Sequence, residues 1–525
     1  MAATSQPLAT AAAVEIMRRG GTAIDAAICA NAVLSVVEPM SCGIGGDLFA
    51  IVWDAEPACL HGFNGSGRAP SGLTRELFAT RGMQRIPDYG PLSWSVPGCV
   101  DGWFSLHERF GRLDMTTLLA PAIGYARDGF PVSPVIAQEW DASTERLRGD
   151  DGAAHTFLPR GRAPRSGELF RNPALAEVLE RIAVDGRDGF YGGLTARQID
   201  AYARSIGAVL REQDLADHRS DWVDPVSVDC RGHQVWELPP NTQGIAVLEM
   251  LQILNGFDLQ AAGHNTDTYV HVLTEAKKLA YEDRACFYAD MEAADLPIKG
   301  LLSSEYAHLQ RERIDPDRAA VRYPIVESSL FSADTVYLST VDEEGNAVSL
   351  IQSIFHAFGS GNVAAELGFA LQNRGSLFSL DETHANRLEP GKRPFHTIIP
   401  GFVTREGRPV FCFGVMGGDM QPQGQVQVLL NLLEFGMDPQ QAGDALRFRH
   451  EGSSTPVGDR MEDGGEVLLE PGFPGSVIHG LERRGHRVRV QGGGYGGYQG
   501  IWIDPDTAVR IGGSEPRKDG CAVGY

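Results

Sequence analysis

The stretch that most constrains the fold runs from Ser332 to Phe355 and reads SADTVYLSTVDEEGNAVSLIQSIF. Along its first half the side chains alternate between two faces, with Thr335, Tyr337 and Ser339 on the same face. The run DEEGN supplies turn residues, and Gly345 stands where a three-residue hairpin loop needs a left-handed backbone. The stretch therefore predicts two antiparallel strands joined by a tight turn.

The register of this hairpin follows from its loop. If Asp342 pairs with Asn346, then Thr335 lies directly opposite Ser353 on one face of the sheet. Two facing hydroxyl groups can share a hydrogen bond, and an ordinary cross-strand pair would explain them equally well. The hairpin by itself leaves open why a threonine stands at its head.

Helix and strand patterns alternate in the first and last parts of the chain, around a helix-rich middle. Two alanine-rich helices open the sequence, LATAAAVEIMRR and TAIDAAICANAVLSVV, and the glycine turn and strand CGIGGDLFAIVWD follow. This order predicts an α/β (α+β) protein with helices covering the faces of its sheets. No linker-like run separates domains, so we expect one compact unit, with residues 146–168 as its main exposed loop.

A glycine-rich run near the C-terminus imitates a nucleotide-binding motif. Gly492, Gly494 and Gly497 satisfy G-x-G-x-x-G after the strand-like RVRV. A dinucleotide site also needs a helix that begins at these glycines, because the helix N-terminus holds the pyrophosphate. Here YQGIWIDPD predicts a strand and a turn, so we expect no nucleotide cofactor.

Composition excludes several classes of partner. The formal net charge of −22 disfavours nucleic acid and anionic membrane surfaces. The first residues lack the pattern of a secretory signal, and no window is apolar enough to span a membrane. Eight scattered cysteines without CxxC pairs indicate the reducing cytoplasm, and 14 histidines without an HExxH pair predict no metal site. We expect no cofactor.

Several motifs occur together and in a fixed order. Residues 335–349 read T-x-x-x-S-x-x-D-x-x-G-N-A-V-S, and FGSG follows at 358–361, GKRPFHT at 391–397 and GVMGGDMQPQ at 414–423. Over nearly its whole length the chain resembles the γ-glutamyltransferase family of N-terminal nucleophile hydrolases. The resemblance implies a four-layer αββα sandwich. It also implies a precursor that cuts itself before a threonine.

The resemblance assigns roles to particular residues. Cleavage between Asp334 and Thr335 would give a large chain, 1–334, and a small chain, 335–525, which stay together as one catalytic unit. The Thr335 hydroxyl would be the nucleophile, with the new α-amine as its base, since that amine titrates near working pH. Ser353 would orient the nucleophile, and Gly417 and Gly418 would form the oxyanion hole, unless they make only an ordinary turn. A dimer of cleaved pairs is left open.

The substrate-binding motifs depart from the family pattern. Where γ-glutamyl enzymes carry an arginine and acidic residues for the substrate's α-carboxylate and α-amine, this chain has FNGSGRAP and QNRGSLF. The serine pair of the family is replaced by His396 and Thr397. Candidate substrate-binding residues are therefore Asn64, Arg68, Arg374, His396 and Thr397, although Arg68 and Arg374 could instead be structural ion-pair partners.

These substitutions resemble the branch that includes oxamate amidohydrolases and cephalosporin acylases. An α-amine without an acidic partner would be costly to bury, whereas Arg374 can pair with a carboxylate. We therefore expect hydrolysis of a small carboxylate-bearing amide, such as an oxamate-like compound or a dicarboxylic monoamide. The alternatives are a γ-glutamyltransferase or glutathione hydrolase with a rearranged pocket, and a non-catalytic relative that acts as a binding protein.

Overall fold

The structure is a computed structural model that describes residues 1–323 and 335–525, so Asp334 and the predicted cleavage bond lie outside the described residues. In chain order its strands are β1 (Ala2–Thr4), β2 (Asp47–Asp54), β3 (Cys59–Gly65), β4 (Phe130–Pro131), β5 (Leu169–Phe170), β6 (Asp221–Val223), β7 (Val226–Cys230), β8 (His233–Glu237), β9 (Val336–Val341), β10 (Ala347–Ser353), β11 (Gly401–Arg405), β12 (Arg408–Met416), β13 (Phe448–Glu451), β14 (Glu466–Leu469), β15 (Val488–Val490), β16 (Gly497–Ile503), β17 (Arg510–Ser514) and β18 (Cys521–Val523).

The helices lie between these strands along the chain, and the longest is the 21-residue α15. They are α1 (Pro7–Arg18), α2 (Ala23–Val37), α3 (Arg75–Thr80), α4 (Cys99–Phe110), α5 (Met115–Asp128), α6 (Pro134–Ala142), α7 (Thr144–Leu147), α8 (Asp151–Phe157), α9 (Pro173–Asp185), α10 (Asp188–Tyr191), α11 (Gly193–Ile206), α12 (Glu212–Asp217), α13 (Gly244–Leu254), α14 (Leu259–Ala262), α15 (Asp267–Phe287), α16 (Ile298–Leu301), α17 (Ser304–Arg311), α18 (Met420–Leu433), α19 (Pro439–Asp444) and α20 (Gly475–Arg483), with a short 3₁₀ helix at Arg374–Leu377.

Two large sheets form the centre of the molecule. The first has the order β18-β1-β9-β10-β2-β3-β6 and the second β17-β16-β12-β11-β8-β7. Each sheet contains strands from before residue 324 and strands from after residue 334. Cutting the chain between these two segments would therefore leave both sheets shared by the two products.

Side chains along each strand point alternately to the two faces of its sheet, so one set lies between the sheets and the other lies under the helices. In β2, Phe49 and Ile51 join the apolar cluster between the two sheets, whereas Leu48 and Ala50 join the cluster beneath helices such as α2 and α5. A third cluster packs α13, α15 and α18 against the outer face of the second sheet. Helices thus cover both outer faces, and the predicted four-layer αββα sandwich is confirmed.

The hairpin at its centre has the predicted register. β9 and β10 are antiparallel, with Val336 opposite Gln352 and Val341 opposite Ala347, and Gly345 has a φ of 91° in the turn. Asp342 N–H donates to the carbonyl of Asn346 at 3.1 Å, as the loop prediction requires.

Two other predictions have different outcomes. The glycine-rich run does lead into a strand, β16, and not into a helix. The prediction of an exposed loop over 146–168 is wrong for its first half, because that half contains the end of α7 and all of α8. The reason is that Ala153 and Phe157 of α8 are buried in the apolar core, and a polar composition did not reveal those two contacts.

Among the described residues, none of the helices combines the length and the apolar character that crossing a membrane requires.

Candidate active site

Thr335 directly precedes β9 and is buried, with 3% of its surface exposed. The hairpin register places it next to the last residue of β10, Ser353, whose hydroxyl oxygen accepts a hydrogen bond from Phe355 N–H at 2.7 Å. Because Tyr337 and Ser339, on the same face, point between the two sheets, the Thr335 side chain starts at the same interface. Thr335 therefore stands at the end of a central strand, between the two sheets.

The loop of Gly417 and Gly418 lies between β12 and α18, in the second sheet. Their φ angles are 118° and 57°, in the region that favours glycine, and a Cβ on Gly417 would lie 3.1 Å from the Cα of Gly496. The first turn of α18 begins here, and its Gln421 places Nε2 3.5 Å from the Thr335 hydroxyl oxygen. The structure therefore brings this glycine loop to the threonine.

A buried network fixes the far side of the glycine loop. Gln243 donates through Nε2 to the carbonyls of Gly418 at 2.9 Å and Thr397 at 2.6 Å. Arg284 binds Asp419, the residue after the loop, at 2.7 Å and also donates to Gln243 Oε1 at 2.7 Å. These contacts hold the Gly418 carbonyl and the Asp419 side chain in place.

A cavity of about 780 Å³ reaches Thr335 and Gly417. The glycine-rich run forms part of its wall through Gly493, Gly494 and Gly496, so these glycines line the candidate active site. Absence of side chains here lets the run pass close to the loop that carries Gly417.

Arg374 lies in the 3₁₀ helix and is fully buried. One terminal nitrogen donates to the Thr397 hydroxyl at 2.7 Å, and the guanidinium carbon is 4.5 Å from the ring centroid of Phe355. Its Nε and Nη2 have no hydrogen-bond partner within the described ranges 1–323 and 335–525. Burial lowers the pKa of Arg374 to about 9, although the nearby Asp47 carboxylate opposes the shift. An arginine with unsatisfied buried donors is ready to accept an anionic ligand.

His396 makes a buried pair with Asp47. Its Nε2–H donates to the carboxylate at 2.9 Å, while Asp47 also accepts hydrogen bonds from Gly67 N–H at 2.9 Å and Gln372 Nε2 at 2.7 Å. Burial, and then the charge of Arg374, lowers the pKa of His396 well below its usual value. The imidazole is therefore neutral at pH 7 and positions the segment that carries Thr397.

Asn64 and Arg68 have partners of their own. Asn64 is buried in β3, where it donates to Asn241 Oδ1 at 2.9 Å and accepts from the Ser66 hydroxyl at 2.6 Å. Arg68 is partly exposed and pairs with surface carboxylates, among them Glu292 at 2.9 Å. It lines a different surface depression from the cavity that reaches Thr335. Substrate binding by Asn64 and Arg68 stays a prediction.

Several residues of the site were missed by sequence reasoning. Gln421 stands two residues after Asp419 in the quoted motif GVMGGDMQPQ, so its place beside the glycines was a usable signal. Arg284 and Gln243 come from the helical middle of the chain, and Arg146, which lines the cavity that reaches Thr335, comes from the predicted loop. No local pattern relates these positions to Thr335, because only the tertiary fold brings them together.

Comparison with known proteins agrees with this geometry. The family model for gamma-glutamyltranspeptidase matches residues 9–525. The chain belongs to the γ-glutamyltranspeptidase family. It is 38% identical to the glutathione hydrolase-like YwrD proenzyme of Bacillus subtilis over 98% of this chain and 97% of that protein. It is also 35% identical to the oxamate amidohydrolase proenzyme of Klebsiella pneumoniae, over 100% and 98% of the two chains.

Among solved structures, the cephalosporin acylase of Bacillus halodurans superposes with a TM-score of 0.92 at 43% identity, covering 100% of this chain and 95% of that one. The fold is therefore that of an N-terminal nucleophile hydrolase. The protein is a hydrolytic enzyme of this family.

Proposed function

We propose that the protein is a self-cleaving N-terminal threonine amidohydrolase that acts on a small amide whose acyl group ends in a carboxylate. The observation that supports this substrate class is Arg374, a fully buried cation with two unsatisfied donor nitrogens that packs on the ring of Phe355, two residues after Ser353. Within the described residues it makes no ion pair with a carboxylate of the protein. The charge of the nearby Asp47 acts on Arg374, but the two side chains make no direct ion pair.

The proposed maturation needs only residues of the chain itself. The Thr335 hydroxyl attacks the Asp334 carbonyl, the C–N bond breaks, and an ester forms that water hydrolyses. The products are the chains 1–334 and 335–525, and the freed α-amine of Thr335 becomes the base for catalysis. Since both segments contribute strands to both sheets, the two chains should remain associated.

In the proposed reaction the α-amine accepts the proton of the Thr335 hydroxyl as its oxygen attacks the substrate carbonyl. The N–H groups of Gly417 and Gly418 stabilise the oxyanion, and Ser353 orients the nucleophile. The amine half leaves with the proton, and an acyl ester of Thr335 remains. Water then attacks the ester, releases the carboxylic acid and restores the hydroxyl group.

A screen for ammonia or amine release tests the substrate class. Oxamate, glutaryl amides and γ-glutamyl amides would be compared on the purified protein, with intact-mass analysis to establish cleavage before Thr335. We expect turnover of the first two classes to exceed that of glutathione, and a Thr335→Ala variant to stay uncleaved. Normal cleavage of that variant would refute the assignment of the nucleophile.

The competing proposal is a γ-glutamyl hydrolase with a rearranged pocket. Its support is the similarity to a relative named glutathione hydrolase-like, together with carboxylates such as Glu451 in the cavity wall. Efficient glutathione turnover would favour it.

We further propose that the enzyme works in the cytoplasm. All eight cysteines are free thiols, which suits a reducing compartment. Fractionation of the source cells checks this, since recovery outside the cytoplasmic fraction would contradict it.

A further inference from the structure

The cavity that reaches Thr335 has charged walls that the proposed catalytic steps do not use. Each of its three carboxylates pairs with a cation of the same wall, namely Glu451 with Arg449 at 2.9 Å, Glu470 with Arg517 at 2.5 Å, and Glu139 with Lys518. Arg146 is the remaining arginine of the wall, and it forms no ion pair with a carboxylate in the described part of the chain. The cavity therefore carries one uncompensated arginine.

The position of Arg146 is fixed by neutral groups. Its Nη1 donates to the carbonyl of Ala357 at 2.5 Å, and its guanidinium carbon lies 4.0 Å from the ring centroid of Tyr89. A carbonyl and an aromatic face orient the planar guanidinium without neutralising its charge. Such a group loses little freedom when it binds an anion, so its remaining donors are preorganised.

Arg146 and Arg374 both lie near His356. Tyr89, beneath Arg146, shares a hydrogen bond of 3.0 Å with His356 Nδ1, and Phe355, beside Arg374, is its chain neighbour. Burial and the charges of the two arginines together lower the pKa of His356 to about 3. The two cations are therefore near the same ring, with Arg374 in the closed interior and Arg146 on the open cavity.

We propose that Arg146 binds a carboxylate on the amine half of the substrate, so that the preferred amides are N-acyl derivatives of amino acids or of similar amino carboxylates. This inference rests on the proposed amidohydrolase reaction, in which Arg374 takes the acyl half. The cavity of about 780 Å³ is far larger than a primary amide such as oxamate requires. The amine half must also leave through open space, and Arg146 lines that space.

Two chromogenic amides with the same acyl group test the assignment. Glutaryl-4-nitroanilide and glutaryl-3-carboxy-4-nitroanilide form the same acyl-enzyme and differ only by a carboxylate on the amine half. In Arg146→Ala we expect kcat/KM for the carboxylated anilide to fall roughly 10- to 100-fold, the loss expected for a charge-assisted hydrogen bond. The value for the plain anilide should change less than about threefold.

The matched control is Arg148→Ala. Arg148 follows Arg146 by two residues, but its partners are Glu145 and the carbonyl of Gly161, and it does not line the cavity. For both anilides, kcat/KM of this variant should equal that of the wild type. Equal losses on both anilides in Arg146→Ala, or no loss on either, would overturn the proposal.

The same pair made with γ-glutamyl groups separates this inference from the proposed acyl specificity. If only γ-glutamyl anilides are turned over, the acyl assignment fails, and the carboxylate effect of Arg146 is then read on that pair. If neither pair is turned over, calorimetry with 5-amino-2-nitrobenzoate and 4-nitroaniline measures the subsite directly. Stronger binding of the benzoate that is lost in Arg146→Ala supports the subsite, and equal binding in both proteins refutes it.

Discussion

Replacing Arg374 by methionine should make the protein less active without making it less stable. Methionine fills a similar volume but carries no charge. The lowering of the Arg374 pKa from 12.5 to about 9 corresponds to roughly 5 kcal/mol against the buried cation. Against this, methionine loses the hydrogen bond to Thr397 and the contact with the Phe355 ring, together worth about 2–4 kcal/mol. The free energy of unfolding should stay level or rise by up to about 3 kcal/mol, as when other buried charges are replaced by apolar groups.

Activity should change in the opposite direction. A bidentate arginine–carboxylate contact in a site closed to water contributes about 3–4 kcal/mol, so kcat/KM for glutaryl amides should fall about 10²- to 10³-fold. The assays are urea unfolding followed by tryptophan fluorescence and initial rates of ammonia release, with intact-mass analysis for cleavage before Thr335. Self-cleavage should proceed normally, because that reaction has no use for the acyl pocket.

The matched control is Arg447→Met. Arg447 is also fully buried, but it pairs with Glu515 at 2.8 Å, so methionine would leave a buried carboxylate with one partner fewer. That variant should lose about 3–5 kcal/mol of stability. If Arg374→Met lost as much stability and kept its kcat/KM, Arg374 would be a structural residue and the substrate argument would fall.

Three further predictions concern other parts of the molecule. Gly417→Ala should reduce kcat by about 10²-fold, because a Cβ there forces the loop away from Gly496. The control Gly436→Ala, where φ is 66° and the surrounding space is open, should cost about 1 kcal/mol of stability and leave kcat unchanged. Equal kcat values in the two variants would contradict this prediction. Burial raises the pKa of Glu38 to about 8, so the folded protein keeps a proton that the unfolded chain releases above about pH 4.5. The free energy of unfolding should therefore fall as pH rises from about 5 to 8, by up to about 1.4 kcal/mol per pH unit from this group. In urea titrations, Glu38→Gln should remove the contribution of this group to the slope. Parallel pH curves for variant and wild type would refute the assignment. The mature chains should unfold in one urea transition, since both sheets are shared, and release of a folded large chain on gel filtration at intermediate urea would disprove it.

The central hairpin could be predicted from sequence because its information is local. Alternating side chains and a glycine turn determine the register of β9 and β10, and the structure has that register. The layer order came from the family resemblance, since strand and helix patterns do not by themselves give a topology. The position of Arg374 in a loop that differs from the family pattern was likewise visible, but its burial and its two unsatisfied nitrogens were not.

The structural features that could not be predicted from the sequence depend on contacts between distant segments. The polar run after Arg146 has the composition of a loop, yet two buried side chains in α8 are enough to order it as helix. Arg68 shows the opposite case, because an arginine next to a family motif pairs with surface carboxylates such as Glu292. In both cases the contacting residues are far away in the chain, so the local periodicity of the sequence does not predict these contacts.

In the proposed mechanism, chemistry and specificity are carried by different kinds of structure. Thr335 and Gly417 stand at the ends of β9 and β12, strands in the middle of the two packed sheets, where movement would disturb the whole core. Arg146 comes from the four-residue helix α7, and Arg374 from a short 3₁₀ helix, both outside the sheets. Short elements of this kind can change sequence without altering the register of the strand that follows the proposed nucleophile. We therefore expect related chains with the same threonine and glycines to hydrolyse different amides, according to which cations these two short helices bring to the cavity.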